Sequence, residues 1–176
     1  MSPKRIGFLT SSNMVGDGPD QREDSYEHDL EFALFAKAAD QRGLVLEEIV
    51  WDAPGIDWSG FAAVMVGTTW DYVQKCDLFY QVLAKIDGKT RLFNDLATLR
   101  MNGDKGYLLE LAAKGIATIP TLRIEQCTQG LIDAAYTHFD CDTLVLKPIV
   151  GGGAQAFDKV NRDRIIIIVA KLQTRF

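Results

Sequence analysis

The segment TLVLKPIVGGGAQAF, residues 143–157, sets Lys147 inside an apolar, β-favouring run and follows it with Pro148 and three consecutive glycines. An ammonium group with apolar neighbours on both sides is expensive to bury without a counter-charge. A ligand phosphate supplies that charge, and Gly151, Gly152 and Gly153 let backbone amides approach it closely. The alternative is a strand end, a snorkelling lysine and a hairpin turn. Upstream, Lys105 lies in MNGDKGYLLEL, early in an expected helix. The helix dipole is positive there, which disfavours a cation, and a bound phosphate would offset that cost while meeting the exposed amides of the first turn. A solvated first-turn lysine is the plainer alternative. Neither GxxxxGK[ST] nor GxGxxG occurs, which disfavours P-loop and dinucleotide-binding chemistry.

A second group of residues follows the expected strands. GTTWDYVQ, residues 67–74, leaves the third strand, and ligands of open α/β sheets sit outside the carboxyl ends of strands. Trp70, Asp71 and Tyr72 are therefore placed to line a substrate crevice. Equally, Trp70 and Tyr72 could pack under a loop while Asp71 caps the next helix. The first loop, SSNMVGDGPDQRED, brings Ser11 and Ser12 to the same edge, as substrate contacts or as part of a surface loop. Asp17, Asp20, Glu23 and Asp24 in that loop do not match EF-hand spacing and read as a solvated acidic stretch, so no metal ligands are assigned.

These residues need elements to hold them. Arg5–Thr10 reads as a first strand, and Leu30, Phe32, Leu34, Phe35 and Ala38 as the apolar face of a helix stopped by Gly43. Strands are expected at Leu44–Val50, Ala62–Val66 and Arg91–Asn94, with a helix carrying Phe79, Val82, Leu83 and Ile86 before the last. That order argues an α/β fold with an open, mostly parallel sheet covered by helices. After Asn94 the rhythm changes. Two short helices, about Asp95–Met101 and Asp104–Lys114, precede a strand at Thr121–Ile124, a helix around Leu131–His138 and a strand at Thr143–Ile149. This second part is expected to be a small α+β unit on an antiparallel sheet, with the boundary near Asp95. In the tail, four successive isoleucines favour a strand. Ile165, Ile168, Val169, Leu172 and Phe176 fall at helical spacing, however, and a helix is the expectation taken.

Composition narrows the partners. The chain has 176 residues, 47% hydrophobic and 24% charged, enough for one ordinary domain or two small ones. A net charge of -5 gives no polyanion-binding surface, so no nucleic-acid partner is expected. No run approaches the roughly 20 apolar residues that span a bilayer, and no membrane partner is expected. Three widely spaced cysteines without a CxxC or Cys/His cluster suit a reducing cytoplasm.

The ordered set WDY, RLFND, NGDKGYLLELAAKGIATIPT and TLVLKPIVGGGA resembles the ATP-grasp superfamily, in particular its glutathione-synthetase-like branch with the O-ureido-serine cyclo-ligase-type proteins. The resemblance implies a pre-ATP-grasp substrate domain at 1–94, a small ATP-grasp nucleotide-binding subdomain at 95–157, and the start of the core subdomain at 158–176. It implies that Lys105 and Lys147 contact ATP, and that Gly151, Gly152, Gly153 and Ala154 form the loop covering its phosphates. It also implies carboxylate–amine ligation through an acyl phosphate, using ATP and Mg²⁺ and a small carboxylate substrate. The family's magnesium ligands lie in a large core subdomain that this sequence lacks. The expectation is therefore a truncated ligase-like chain, not competent alone, whose unfinished tail would favour association into a homo-oligomer. A non-enzymatic small-molecule or partner-binding module is the alternative.

Overall fold

The computed structural model describes residues 3–124, 128–141 and 144–151, and the backbone of 165–168. The chain divides into two compact units, Met1–Arg100 and Met101–Phe176.

The first unit is a four-stranded, fully parallel sheet of β1 (Lys4–Thr10), β2 (Leu44–Val50), β3 (Ala63–Val66) and β4 (Arg91–Phe93), in the order β2-β1-β3-β4. Helix α1 (Tyr26–Asp40) connects β1 to β2, and α2 (Cys76–Asp87) connects β3 to β4. Alternation along β1 divides its side chains between two cores. Leu9 joins Trp51, Val64, Phe79, Leu83, Ile86 and Leu92 in one buried cluster. Phe8 turns the other way and meets the α1 rings Phe32, at 5.5 Å edge-on, and Phe35, at 5.9 Å. Helix α2 buries Phe79, Leu83 and Ile86, a spacing of four and three that makes one helical stripe. After α1 the chain turns at Gly43, whose φ of 65° favours glycine.

The second unit carries an antiparallel sheet of β5 (Thr121–Ile124), β6 (Val145–Pro148) and β7 (Ile165–Ile168), in the order β5-β7-β6. Its helices are α4 (Tyr107–Ala113) and α5 (Gln129–Phe139), while α3 (Leu96–Gly103) spans the division between the units. The Thr128 hydroxyl accepts from Leu131 N at 3.3 Å and starts α5. Ala135 of α5 packs with Ile124 over Leu122, Leu144 and Leu146. Pro148, which has no N–H to donate, sits on an edge strand, where that loss is tolerated.

Two expectations are corrected. The tail expected as helix forms β7 at Ile165–Ile168, hydrogen-bonded to β5 on one side and β6 on the other. Inserting it satisfies two strand edges at once, and the β-branched run suits that place better than its helical spacing suits a helix. Lys105 lies before α4 and outside any helix. Asp104 Oδ1 accepts from Gly106 N at 2.7 Å, closing a turn that delays the helix to Tyr107. Lys105 therefore stands just before the N-cap, Gly106, and not inside the first turn. No helix among the described residues is long and apolar enough to cross a membrane.

Candidate functional site

In the second unit, the turn before α4 is bound to the segment that leaves β6. Lys105 N donates to Ile149 O at 2.9 Å, and its ammonium Nζ donates to Gly151 O at 2.6 Å. Ile149 is buried and packs on Leu108, which fixes both segments. Lys147 stands on β6 opposite Ile166 of β7. Burial pushes the Lys105 ammonium below its ordinary pKa, the positive charge of Lys147 pushes it further, and Asp104 opposes both. Among the described residues neither ammonium forms a salt bridge, and the nearby Asp104 lies 3.6 Å from Arg123. Gly151 has φ 155°, and a Cβ there would lie 3.1 Å from the Pro148 ring and 4.0 Å from Lys105 Nζ. Two cations that repel each other, one of them bonded to the backbone where the glycine run begins, suit a phosphate group. Gly152, Gly153 and Ala154 lie outside the described residues.

In the first unit, β1 and β3 are neighbours whose connections leave in opposite directions, to β2 and to β4. This is the switch point where open α/β sheets form a crevice. The two loops that leave it are tied together. Ser11 N donates to Thr68 O at 3.2 Å, and the buried Ser11 hydroxyl lies 3.1 Å from the same carbonyl and 2.7 Å from Asn13 Oδ1. The Arg22 guanidinium lies 5.2 Å from the Trp70 ring centroid while pairing with Asp24 through two hydrogen bonds of 2.8 and 2.7 Å. Ser11 and Trp70 thus share one edge, and Trp70 keeps about a third of its surface exposed there, at 36%. Ser12 is exposed.

Asp71 and Tyr72 face inward. Asp71 is buried, its Oδ1 accepting from Trp51 Nε1 at 2.6 Å and its Oδ2 from Lys75 Nζ at 3.2 Å. It makes no side-chain cap on the turn that follows. Tyr72 packs on Phe79 at 5.2 Å, and burial pushes its phenol pKa up.

Sequence reading missed the group beneath this edge. His28, 1% exposed, places Nδ1 2.6 Å from Thr68 Oγ1 and 3.3 Å from Thr10 Oγ1, with Nε2 2.7 Å from Glu48 Oε2. The two threonine hydroxyls lie 2.9 Å apart. Thr10 and Thr68 carried a weak signal, as hydroxyls at the carboxyl ends of apolar strands. His28 carried none, because its partners are 18 to 40 residues away.

With that geometry in place, comparison with known proteins is specific. A family model for the N-terminal domain of D-cycloserine synthetase DcsG matches residues 6–94, just over half of the chain. The cycloserine biosynthesis protein DcsG of Streptomyces lavendulae is 30% identical over 126 residues, covering 69% of this chain and 42% of that protein. The crystal structure of D-cycloserine synthetase DcsG superposes with a TM-score of 0.73 at 21% identity, over 93% of this chain and 58% of that one. A RimK domain protein ATP-grasp from Sphaerobacter thermophilus DSM 20745 superposes with a TM-score of 0.59 at 16% identity, over 94% of this chain and 63% of that one. The fold is that of the N-terminal portion of ATP-grasp proteins, and the chain spans less than two thirds of the length of each of these relatives. On the match over residues 6–94, the chain belongs to the family of the N-terminal domain of D-cycloserine synthetase DcsG.

Proposed function

We propose that this chain carries the substrate-holding domain and the small nucleotide-binding subdomain of an ATP-dependent carboxylate–amine ligase. The observation that carries this reading is the Lys105–Lys147 pair. Two ammonium groups close enough for one to depress the other's pKa, without a salt bridge among the described residues, are stabilised by an anion placed against both. ATP is the anion that the ATP-grasp fold implies, and when bound it would supply the phosphoryl group that activates a carboxylate.

The roles of the residues follow from their positions. Lys105 and Lys147 would hold the phosphates, with Gly151, Gly152, Gly153 and Ala154 as the loop over them. The Lys105–Gly151 bond pins the start of that loop. Ser11 and Trp70 would line the crevice for a small carboxylate or amine substrate, while Asp71 and Tyr72 would set the loop that presents Trp70. Ser12 stands at the exposed edge of the same loop. Magnesium would accompany ATP, and no residue of this chain is assigned to it. The free thiols Cys76 and Cys141 suit a reducing cytoplasm.

The test is calorimetric titration of ATP with magnesium into the chain and into Lys105→Met and Lys147→Met. Each substitution removes a charged hydrogen-bonding partner and is expected to weaken binding about tenfold or more. Equal ATP affinity in all three proteins would remove the basis of the proposal. So would tight binding of a small molecule other than a nucleotide that ignores Lys147.

A further inference from the structure

The first unit has a second concavity. The connection between β2 and β3 crosses the sheet without a regular helix of its own, and a cavity of about 610 Å³ remains between this connection and α2. That volume lies within the range of small-molecule sites, about 300–1,000 Å³. Its apolar walls come from Ile56 and Trp58 on the connection and from Leu78 and Val82 on α2, with the buried Trp51 beneath them. Leu78 is 43% exposed, so the wall is open to a ligand.

The charges around this cavity are not balanced. Asp52 lines it, but its carboxylate is held by Lys75 Nζ at 2.7 Å. Lys85 and Lys89 also line it, both at the carboxyl-terminal end of α2. Lys89 acts on Asp57 through its charge only, and Lys85 forms no salt bridge among the described residues. On α2, Leu78, Val82 and Lys85 follow one another at successive turns, and Lys89 lies just past the helix end at Asp87. The cavity is therefore apolar along most of its length and cationic at one end.

We propose that this cavity binds a small amphipathic carboxylate, with its apolar or aromatic body between Ile56, Trp58 and Val82 and its carboxylate against Lys85 and Lys89. The charge complementarity calls for one anionic head beside one apolar body, which a helical partner's spaced anchors would not match. The site is distinct from the crevice and independent of the ATP reading. It is also wired to the crevice. Trp51 donates its indole N–H to Asp71, and Lys75 bridges Asp52 of the cavity and Asp71 of the Trp70 loop.

Phenylbutyrate and its uncharged analogue phenylbutanamide probe the site, titrated into the whole chain by calorimetry with the indole N–H resonances followed by NMR. Saturable phenylbutyrate binding is expected, shifting the Trp58 signal. The amide is expected to bind about fivefold more weakly, as is phenylbutyrate to the Lys85→Gln/Lys89→Gln variant. Val82→Trp fills the cavity and is expected to abolish binding. Leu78→Glu, a change at an exposed position, sets a like charge in the cavity and should do the same even if Val82→Trp fails to fold. Absence of binding, equal binding of acid and amide, or indifference to both the lysine and Leu78 variants overturns the proposal. Sedimentation showing a wild-type dimer that Leu78→Glu dissociates would overturn it in favour of a second copy.

Discussion

The His28 imidazole is bound at both nitrogens, Nδ1 to Thr68 Oγ1 at 2.6 Å and Nε2 to Glu48 Oε2 at 2.7 Å. Glu48 lies on β2, Thr10 ends β1 and Thr68 follows β3, so one side chain from α1 latches three neighbouring strands. His28→Leu removes both bonds from a buried position while leaving Thr10 and Thr68 to bond each other. Glu48, 40% exposed, regains water. The expected loss is about 2–3 kcal/mol of stability, read from urea unfolding. A change within about 0.5 kcal/mol would mean that the latch contributes little beyond filling space.

Gly67, the residue after β3, lies against the Phe8 ring. A Cβ at this position would lie 2.1 Å from Phe8 Cζ and 2.2 Å from Cε1, and Phe8 is wholly buried between the sheet and α1. Gly67→Ala is expected to cost about 3 kcal/mol by overpacking. Phe8→Leu, which removes the ring atoms that would clash, should recover part of that loss in the double variant, as a thermal-unfolding mutant cycle would show. Simple additivity of the two losses would contradict the clash.

What sequence revealed and what it hid divide by distance along the chain. The parallel sheet was legible because each strand is a local apolar run and α2 shows its buried stripe at Phe79, Leu83 and Ile86 within one helix. The strand at Ile165–Ile168 was not, because the edges it satisfies belong to segments that begin 44 and 20 residues earlier, at Thr121 and Val145. Lys147 stood out as a cation in an apolar run. Its reach towards Lys105, and the Lys105 bond to Gly151, depend on a turn set by Asp104 and Gly106 that no periodicity announces. Asp71 was visible as a polar residue after a strand, but its commitment to Trp51 and Lys75 was not.

The central place of β7 has a direct consequence. Ile166 lies opposite Arg123 on one side and Lys147 on the other. Ile166→Pro deletes an N–H that serves one of these neighbours, unlike Pro148 on its edge strand, and is expected to cost about 3 kcal/mol or more. Hydrogen exchange should show lost protection at β5 and β6 with the amides of β1 and β3 unchanged, since these lie in the other unit. Retained protection at β5 would exclude β7 as the shared strand.

The depressed Lys105 pKa makes a signed prediction. Burial, and then Lys147, disfavours the protonated form in the folded chain, while the unfolded chain keeps the ordinary value of 10.5. Between the lowered folded value and 10.5 the unfolded state therefore binds more protons, and stability rises with pH across that window. Lys147→Met removes the repulsion but leaves the burial, so the Lys105 pKa should move up without reaching 10.5, and the pH dependence of stability should shrink. Lys105→Met should abolish this lysine's share of the dependence. Inorganic triphosphate, placed against both ammonium groups, should raise the Lys105 pKa in the wild-type chain. Titration of lysine Cε resonances measures each shift. A Lys105 pKa unmoved by Lys147→Met and by triphosphate would show that burial alone sets it, and that the two lysines do not share an anion.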